Sequence, residues 1–500
     1  MDREILFNLL LKNFGFTPTE GQSKVLYHLA AFILSEKEKP VYLLKGYAGT
    51  GKTTLVSTIV ETLPLIGMDY QLLAPTGRAA KVMSRYTGKT ASTLHRKLYR
   101  FQTMANGEFR MSRAENKSKN TIFIVDECSM ISDHGESYSW SHSLLDDLIE
   151  YVFSGNCCKL LLIGDSAQLP PVGLDISPAI DFDLLRNSFN LTIATYEMKE
   201  VMRQTLDSGI LHNATNIRNI MSTDICHYQI PLLDINSFKD IEKIDPMTFE
   251  ELLWQCFGNK ISNNDAVVIC RSNKRANMFN QAIRNRVLQE EGELSAGEKL
   301  MVVKNNYFWS DQQSAISSQQ SANPKNSQIL RFSDSQIPKI SFIANGDMIE
   351  VMRINKIEEM YGFHFADVDI QMLDYDEYPC LSVKILLDTL HSDSAALTEE
   401  DSKRLYNAVE EDYMDIPRAS DRRKQMKENP YFNALQVKYG YALTCHKTQG
   451  GQWNKVFVEA PYLAEEKVLE LSDMRWLYTA LTRASEKVYL VNFKEEWFML

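Results

Sequence analysis

The segment from Gly46 to Thr53, GYAGTGKT, constrains this chain more than any other. It follows an apolar run, VYLLKG, and opens a helix-like run, TTLVSTIVETL. A strand that turns through glycines into a helix is the arrangement of a phosphate-binding P-loop. Glycines let backbone N–H groups turn inward around a β-phosphate, and the helix N-terminus adds the positive end of its dipole. In that frame ATP is contacted by Gly46, Tyr47, Ala48, Gly49, Thr50, Gly51, Lys52, Thr53 and Thr54. Lys52 neutralises the β- and γ-phosphates, and the Thr53 hydroxyl ligates Mg2+. An ordinary Gly-rich turn needs neither the strand before it nor the helix after it.

Two further apolar runs end in polar residues that suit the same chemistry. TIFIVDE (121–127) delivers Asp126 and Glu127 to the C-terminal end of a strand, where parallel sheets bind ligands. Asp126 holds Mg2+ through its water shell in this reading, and Glu127 orients and deprotonates the attacking water. A DE pair after a strand is weak evidence alone and strong evidence downstream of a P-loop. KLLLIGD (159–165) runs into SAQLPP, where Gln168 is placed to contact the γ-phosphate and sense its loss. The alternative is a surface turn, since Gly, Asp and Pro favour turns.

The order of elements fits this site. VYLLKG, YQLLAP, TIFIVDE and KLLLIGD each have a helical candidate nearby, the pattern of a parallel sheet covered on both faces. AVVIC (266–270), KVFVEA (455–460) and KVYLVNF (487–493) predict a second sheet whose sequence is interrupted. Within the interruption, the Ser/Gln-rich stretch at 308–338 predicts a mobile loop. DMIEVMRI, FADVDIQML and LSVKILLD predict a small β-domain, and 397–428 predicts helix.

Charge complicates a nucleic-acid reading. The net charge is −11, yet residues 71–120 hold eleven Lys or Arg against Glu108 and Glu115. A stretch like this is either a solvated face or a nucleic-acid contact. No run of 18 apolar residues is present, so no membrane partner is expected. The N-terminus lacks a signal-peptide order and the eight cysteines form no CxxC pair, so reduced thiols and a cytoplasmic location are expected.

The ordered set GYAGTGKTT, APTGRAAK, STLHR, VDECSM, GDSAQLPPV, VMRQ, TCHKTQG and LYTALTRA resembles the superfamily-1 helicases, in their RecD/Dda-like branch. The resemblance covers most of the chain apart from roughly 300–430. It implies an α/β fold with two RecA-like P-loop lobes, an ATP hydrolase with Mg2+, and 5′-to-3′ movement on single-stranded DNA with unwinding at a duplex fork. The expected boundaries are lobe 1 at 1–190, with a β-hairpin insertion at about 97–118. Lobe 2 takes 191–340 and 429–500, split by an SH3-like and helical insertion at 341–428. Carried over by motif, Gln22 reads the adenine, and Arg203 and Arg483 reach the γ-phosphate from the second lobe. Pro75, Thr76, Thr93, His95, Thr444, His446 and Lys447 contact the strand. Taken alone, Gln22 is equally a helix-start residue, each Arg a surface ion pair, and each His a structural residue.

The hairpin insertion carries Asn106-Gly107, a strong turn signal, between arms bearing Phe101 and Phe109. Its position suits a pin at the fork, with Phe101 touching DNA, or a plain connection. Three rival functions stay open at this point: a single-strand translocase that strips proteins, a P-loop ATPase or kinase indifferent to nucleic acid, and a scaffold with a dead ATPase.

Overall fold

The computed structural model describes residues 1–499 apart from 104–108, 133–142, 203–206, 224–227, 259–264, 307, 310–342, 374–379 and 462–467. Its first lobe is built on β1 (Pro40–Gly46), β2 (Asp69–Ala74), β3 (Ser92–Thr93), β6 (Thr121–Val125), β7 (Lys159–Gly164) and β8 (Thr192–Met198). A separate antiparallel hairpin, β4 (Tyr99–Thr103) with β5 (Phe109–Arg113), lies between β3 and β6. The six strands run parallel in the order β3-β2-β6-β7-β1-β8. Because side chains alternate along a strand, each strand feeds two cores. Tyr42, Leu44, Ile122, Ile124 and Leu161 meet the helices Arg3–Phe14, Glu20–Ile33 and Lys52–Thr62 on one face. Val41, Leu43, Phe123, Val125 and Leu160 meet the helix Leu144–Ser154 on the other.

The order β6-β7-β1 has a functional consequence. It sets the ends of three neighbouring strands side by side, so that Asp126, Asp165 and the P-loop emerge on one edge. The sheet also extends past the expected boundary at 190, since β8 pairs with the whole of β1 from Pro40↔Thr192 to Gly46↔Met198.

The second lobe opens with the helix Gly209–Met221, whose Ile210, Ala214 and Ile217 enter its core, and its sheet begins with β9 (Ile241–Ile244) and β10 (Ala266–Cys270). The chain then leaves for a closed barrel of β11 (Lys299–Val302), β12 (Met348–Met360), β13 (Phe363–Met372), β14 (Leu381–Leu386) and β15 (Leu435–Tyr439). It returns as β16 (Ala442–Thr444), β17 (Trp453–Glu459) and β18 (Ala484–Val491). The lobe sheet is parallel in the order β16-β10-β17-β18-β9. The three predicted strand runs are β12, β13 and β14. The barrel reaches outside 341–428 at both ends, because β11 and β15 pair with each other and close it. Helices Glu399–Glu411 and Ala419–Lys427 cover one end through Leu405, Val409 and Met426 packed on Phe363 and Phe365.

Two sequence expectations meet the undescribed residues. Of the loop expected at 308–338, Phe308 and Trp309 are packed: Trp309 is 8% exposed and its indole N–H donates to the Asn433 carbonyl at 2.9 Å. The rest of that loop, and the Asn106-Gly107 turn, lie outside the described residues.

Candidate active site between the two lobes

The P-loop is held from three sides. Inside it, the Thr50 hydroxyl donates to the Tyr47 carbonyl at 2.8 Å, and the Lys52 ammonium donates to the Gly46 and Tyr47 carbonyls at 2.5 and 3.0 Å. From below, Gln22 is fixed by a capping box with Thr19 at the start of its helix, and its amide donates to the Thr50 carbonyl at 3.0 Å. Both ends of the Gln22 amide are thus engaged within the protein. Gly51 sits at φ +89°, and a Cβ there would fall 2.5 Å from Gln22 Nε2, so only glycine fits. From the second lobe, the Tyr478 hydroxyl accepts from the Ala48 N–H at 2.9 Å.

Beside the loop, Asp126 accepts the Tyr86 hydroxyl on Oδ2 at 2.7 Å and the Glu127 N–H on Oδ1 at 2.8 Å. Glu127 takes a left-handed backbone at φ +53°, a costly conformation for a non-glycine residue. Burial raises the Glu127 carboxyl above its ordinary range, and Asp126 and Asp165 add to this, while Arg483 and Lys52 oppose it. A carboxylate shifted upward is a better proton acceptor. Those opposing charges come one from each lobe, Arg483 from the second and Lys52 from the first.

Arg483 is 4% exposed, and its guanidinium donates to the Thr479 and Gly451 carbonyls at 3.2 and 3.3 Å. Gln168 is 6% exposed, and its Oε1 has no hydrogen-bond partner among the described residues. Its place after β7 is fixed by its neighbour Leu169, whose N–H donates to the Thr479 hydroxyl and whose carbonyl accepts from Gln449. Arg203 lies outside the described residues.

A cavity of about 380 Å³ opens beside the P-loop helix, lined among others by Phe16, Thr53, Thr54 and Tyr86. The Thr53 hydroxyl and the Asp126 carboxylate are hard oxygen donors, the kind Mg2+ selects. No group of three or more His, Cys, Asp or Glu that could hold a metal occurs among the described residues.

Of the residues expected to meet a nucleic-acid strand, Thr76 lies where the two lobes touch, and the set differs in exposure. Thr76 caps the helix Gly77–Thr87, and Gly450 of the TCHKTQG segment packs onto it. Gly450 has φ +70°, and a Cβ there would meet Ala79 Cβ at 2.8 Å and Thr76 Oγ1 at 3.1 Å. Arg78 reaches across to the Gln452 carbonyl at 3.0 Å and stacks 3.8 Å over Trp453. Pro75, Thr444 and Lys447 are half-buried and His446 is exposed. Burial pulls the Lys447 ammonium down to about 8, and desolvation followed by the charge of Arg271 lowers His446. Thr93 is 3% exposed and its hydroxyl caps the Arg96 N–H at 3.2 Å, so it shapes its turn. His95 is half-buried with its ring 5.8 Å from that of Tyr99. Phe101 lies in β4 opposite Met111.

The basic stretch is partly consumed locally. Lys97 donates to Gln71, Arg113 pairs with Asp147 and Glu150, and Lys117 pairs with Glu115. Tyr86, Arg78, Gly450 and Tyr478 were not assigned roles from sequence. Arg78, Gly450 and Tyr478 lie inside the APTGRAAK, TCHKTQG and LYTALTRA segments, whereas a lone Tyr86 gives no signal.

Residues 30–174 match the AAA domain family, and residues 439–491 match the UvrD-like helicase C-terminal domain family. The chain is 32% identical over 196 residues to the ATP-dependent RecD2 DNA helicase of Deinococcus radiodurans, covering 39% of this chain and 23% of that protein. It is 24% identical over 503 residues to the ATP-dependent DNA helicase dda of Enterobacteria phage T4, covering 95% of this chain and 99% of the phage protein. Among solved structures, the Pif1 helicase from Bacteroides in complex with ADP-AlF3 and ssDNA aligns over 97% of this chain and 95% of its own. Its sequence identity is 16% and its TM-score 0.45.

Proposed function

We propose that this chain, a superfamily-1 helicase of the RecD/Dda type, hydrolyses ATP to move 5′ to 3′ along single-stranded DNA and to part the duplex ahead of it. One observation carries the reading. The second lobe closes directly on the P-loop, with the Tyr478 hydroxyl accepting from the Ala48 N–H at 2.9 Å, Arg483 of that lobe and Lys52 of the first both bear on Glu127, and Gly450 packs on Thr76 at the same lobe boundary.

Lys52 and Arg483 would balance charge on the γ-phosphate, Lys52 from the P-loop and Arg483 from the opposite wall. Glu127 would take the proton of the attacking water, a role its raised affinity for protons favours. Gln168, with a buried and unpartnered Oε1, is suited to a γ-phosphate contact. Arg203 is assigned beside Arg483 from its VMRQ segment. Thr53 and Asp126 would hold Mg2+, which when bound screens the charge of the β- and γ-phosphates. Strand contact is assigned to Thr76, Pro75, Thr444, His446 and Lys447, with Thr93 and His95 shaping the turn behind them. Binding energy from the γ-phosphate is gained only when both lobes reach it, and hydrolysis removes that bridge.

The test is the ATPase rate with and without single-stranded DNA, followed by unwinding of 5′-tailed and 3′-tailed duplexes. DNA should stimulate hydrolysis, and only the 5′-tailed duplex should be separated. Hydrolysis indifferent to DNA would remove the reading. Stimulated hydrolysis that strips streptavidin from a strand but opens no duplex would restrict it to translocation.

A further inference from the structure

The helix Gly77–Thr87 touches both ends of the mechanism. Its N-terminal end belongs to the lobe boundary: Thr76 and Ala79 pack against Gly450, Arg78 holds the Gln452 carbonyl, and Lys81 donates to the Leu373 carbonyl beside the barrel. Its C-terminal end belongs to the nucleotide site. Ser57 of the P-loop helix donates to the Tyr86 carbonyl at 3.1 Å, and the Tyr86 hydroxyl donates to Asp126 Oδ2 at 2.7 Å. The helix has 11 residues, about 16 Å at 1.5 Å per residue. A helix is stiff along its axis, so displacement at Thr76 is transmitted to Tyr86.

We propose that Tyr86 is a positioning residue for Asp126, and that it is the active-site end of a rod linking strand and second-lobe contacts to the metal-holding carboxylate. The inference rests on the reading of Asp126 given above. Asp126 has two oxygens, and the protein fixes both: Oδ1 by the Glu127 N–H and Oδ2 by Tyr86. The Glu127 contact is local backbone and moves with β6. The Tyr86 contact comes from an element that also bears on lobe 2 and the barrel. Only this second bond reports on anything outside the nucleotide site. Tyr86 also lines the same cavity as Thr53, so it stands beside both candidate metal ligands.

The experiment is Tyr86→Phe, which removes the donor and keeps the ring. Fluorescent (mant) ADP is titrated onto wild type and variant at a series of Mg2+ concentrations, and again in EDTA. Loss of an outer contact to a metal-holding carboxylate should raise the half-saturating Mg2+ by roughly 10-fold or more, while affinity in EDTA stays within about 2-fold. In steady state with single-stranded DNA, kcat should fall and KM for ATP at saturating Mg2+ should hold. An unchanged or lowered Mg2+ requirement in a folded variant overturns the proposal. So does an equal loss of affinity in EDTA, which marks a merely structural tyrosine. Failure of the helicase reading is distinguished by the wild type itself, whose ATPase would then ignore DNA.

Discussion

Tyr478→Phe isolates one of the contacts by which the second lobe holds the first. Its hydroxyl is buried, accepts from the Ala48 N–H at 2.9 Å and donates to Asp165 Oδ2 at 2.8 Å. Phenylalanine fills the same space, so the perturbation is one oxygen. The bond to a carboxylate contributes about 1.5–3 kcal/mol and the neutral N–H bond about 0.5–1.5 kcal/mol. Together that is about 2–4.5 kcal/mol favouring the docked lobes, a roughly 30- to 1,500-fold change in the docked-to-parted ratio. In the parted state water reaches Ala48 and Asp165 again, so the loss falls on docking and not on the fold of either lobe. Paired fluorophores, one on each lobe, should report a longer mean separation without nucleotide. ATP analogues should restore it only at higher concentration. Unchanged separation together with unchanged kcat/KM for ATP would refute the claim that this hydroxyl holds the lobes.

Four further outcomes are expected. Glu127→Gln keeps the shape but cannot take a proton, so hydrolysis should fall at least about 10²-fold with ATP still bound; near-normal turnover would assign the base elsewhere. Arg483→Ala should lower kcat more than ATP affinity, since its charge acts mostly on the transition state; pre-steady-state hydrolysis set beside nucleotide binding measures the split. Lys447, held near 8 by burial, loses its charge as pH rises through that value, so strand affinity should weaken from pH 7 to 9 and flatten in Lys447→Arg. A flat wild-type profile would take Lys447 off the strand. Shortening 102–110 to a tight turn should abolish unwinding and spare DNA-stimulated ATPase if the β4–β5 hairpin is a pin; both surviving makes it a connection.

How much of this was legible in sequence depended on burial. β1, β6, β7 and β10 are buried along their length and show as unbroken apolar runs. β8, TIATYEM, is an edge strand with polar residues facing out, and nothing in its pattern separates it from a loop. The barrel shows the same limit. Its long central strands were readable, but β11 is four residues, and its pairing with β15 across more than a hundred residues leaves no local trace. The placement of the P-loop, Asp126, Glu127 and Gln168 just after strand ends was legible, because each strand is an apolar run that stops at a fixed offset before them. Thr93 illustrates the opposite case: a polar residue in a matching motif can be spent on its own turn. Tyr86 had no offset, partner residue or composition to mark it. Only the fold brings it to Asp126.

The segment LYTALTRA, from Leu477 to Ala484, shows why a motif can be dense in polar residues and still lie in a core. Tyr478, Thr479, Thr482 and Arg483 are all buried. Tyr478, Thr482 and the adjacent pair Thr479 and Arg483 recur at four-residue spacing, the spacing of one helix face. That face is turned to the first lobe: Tyr478 meets Ala48 and Asp165, Thr479 meets Leu169, and Arg483 acts on Glu127. Thr482 bonds back to the Tyr478 carbonyl and stiffens the turn. Buried polar groups tolerate little slack, because a bond stretched without water to replace it costs nearly its full value. The helix Leu471–Leu481 therefore cannot slide gradually against the P-loop. It is docked with every partner in place, or it is parted and wet. Packed interfaces of this kind pass between discrete arrangements, and the proposed movement along a strand requires such a step if each nucleotide cycle is to advance the chain once.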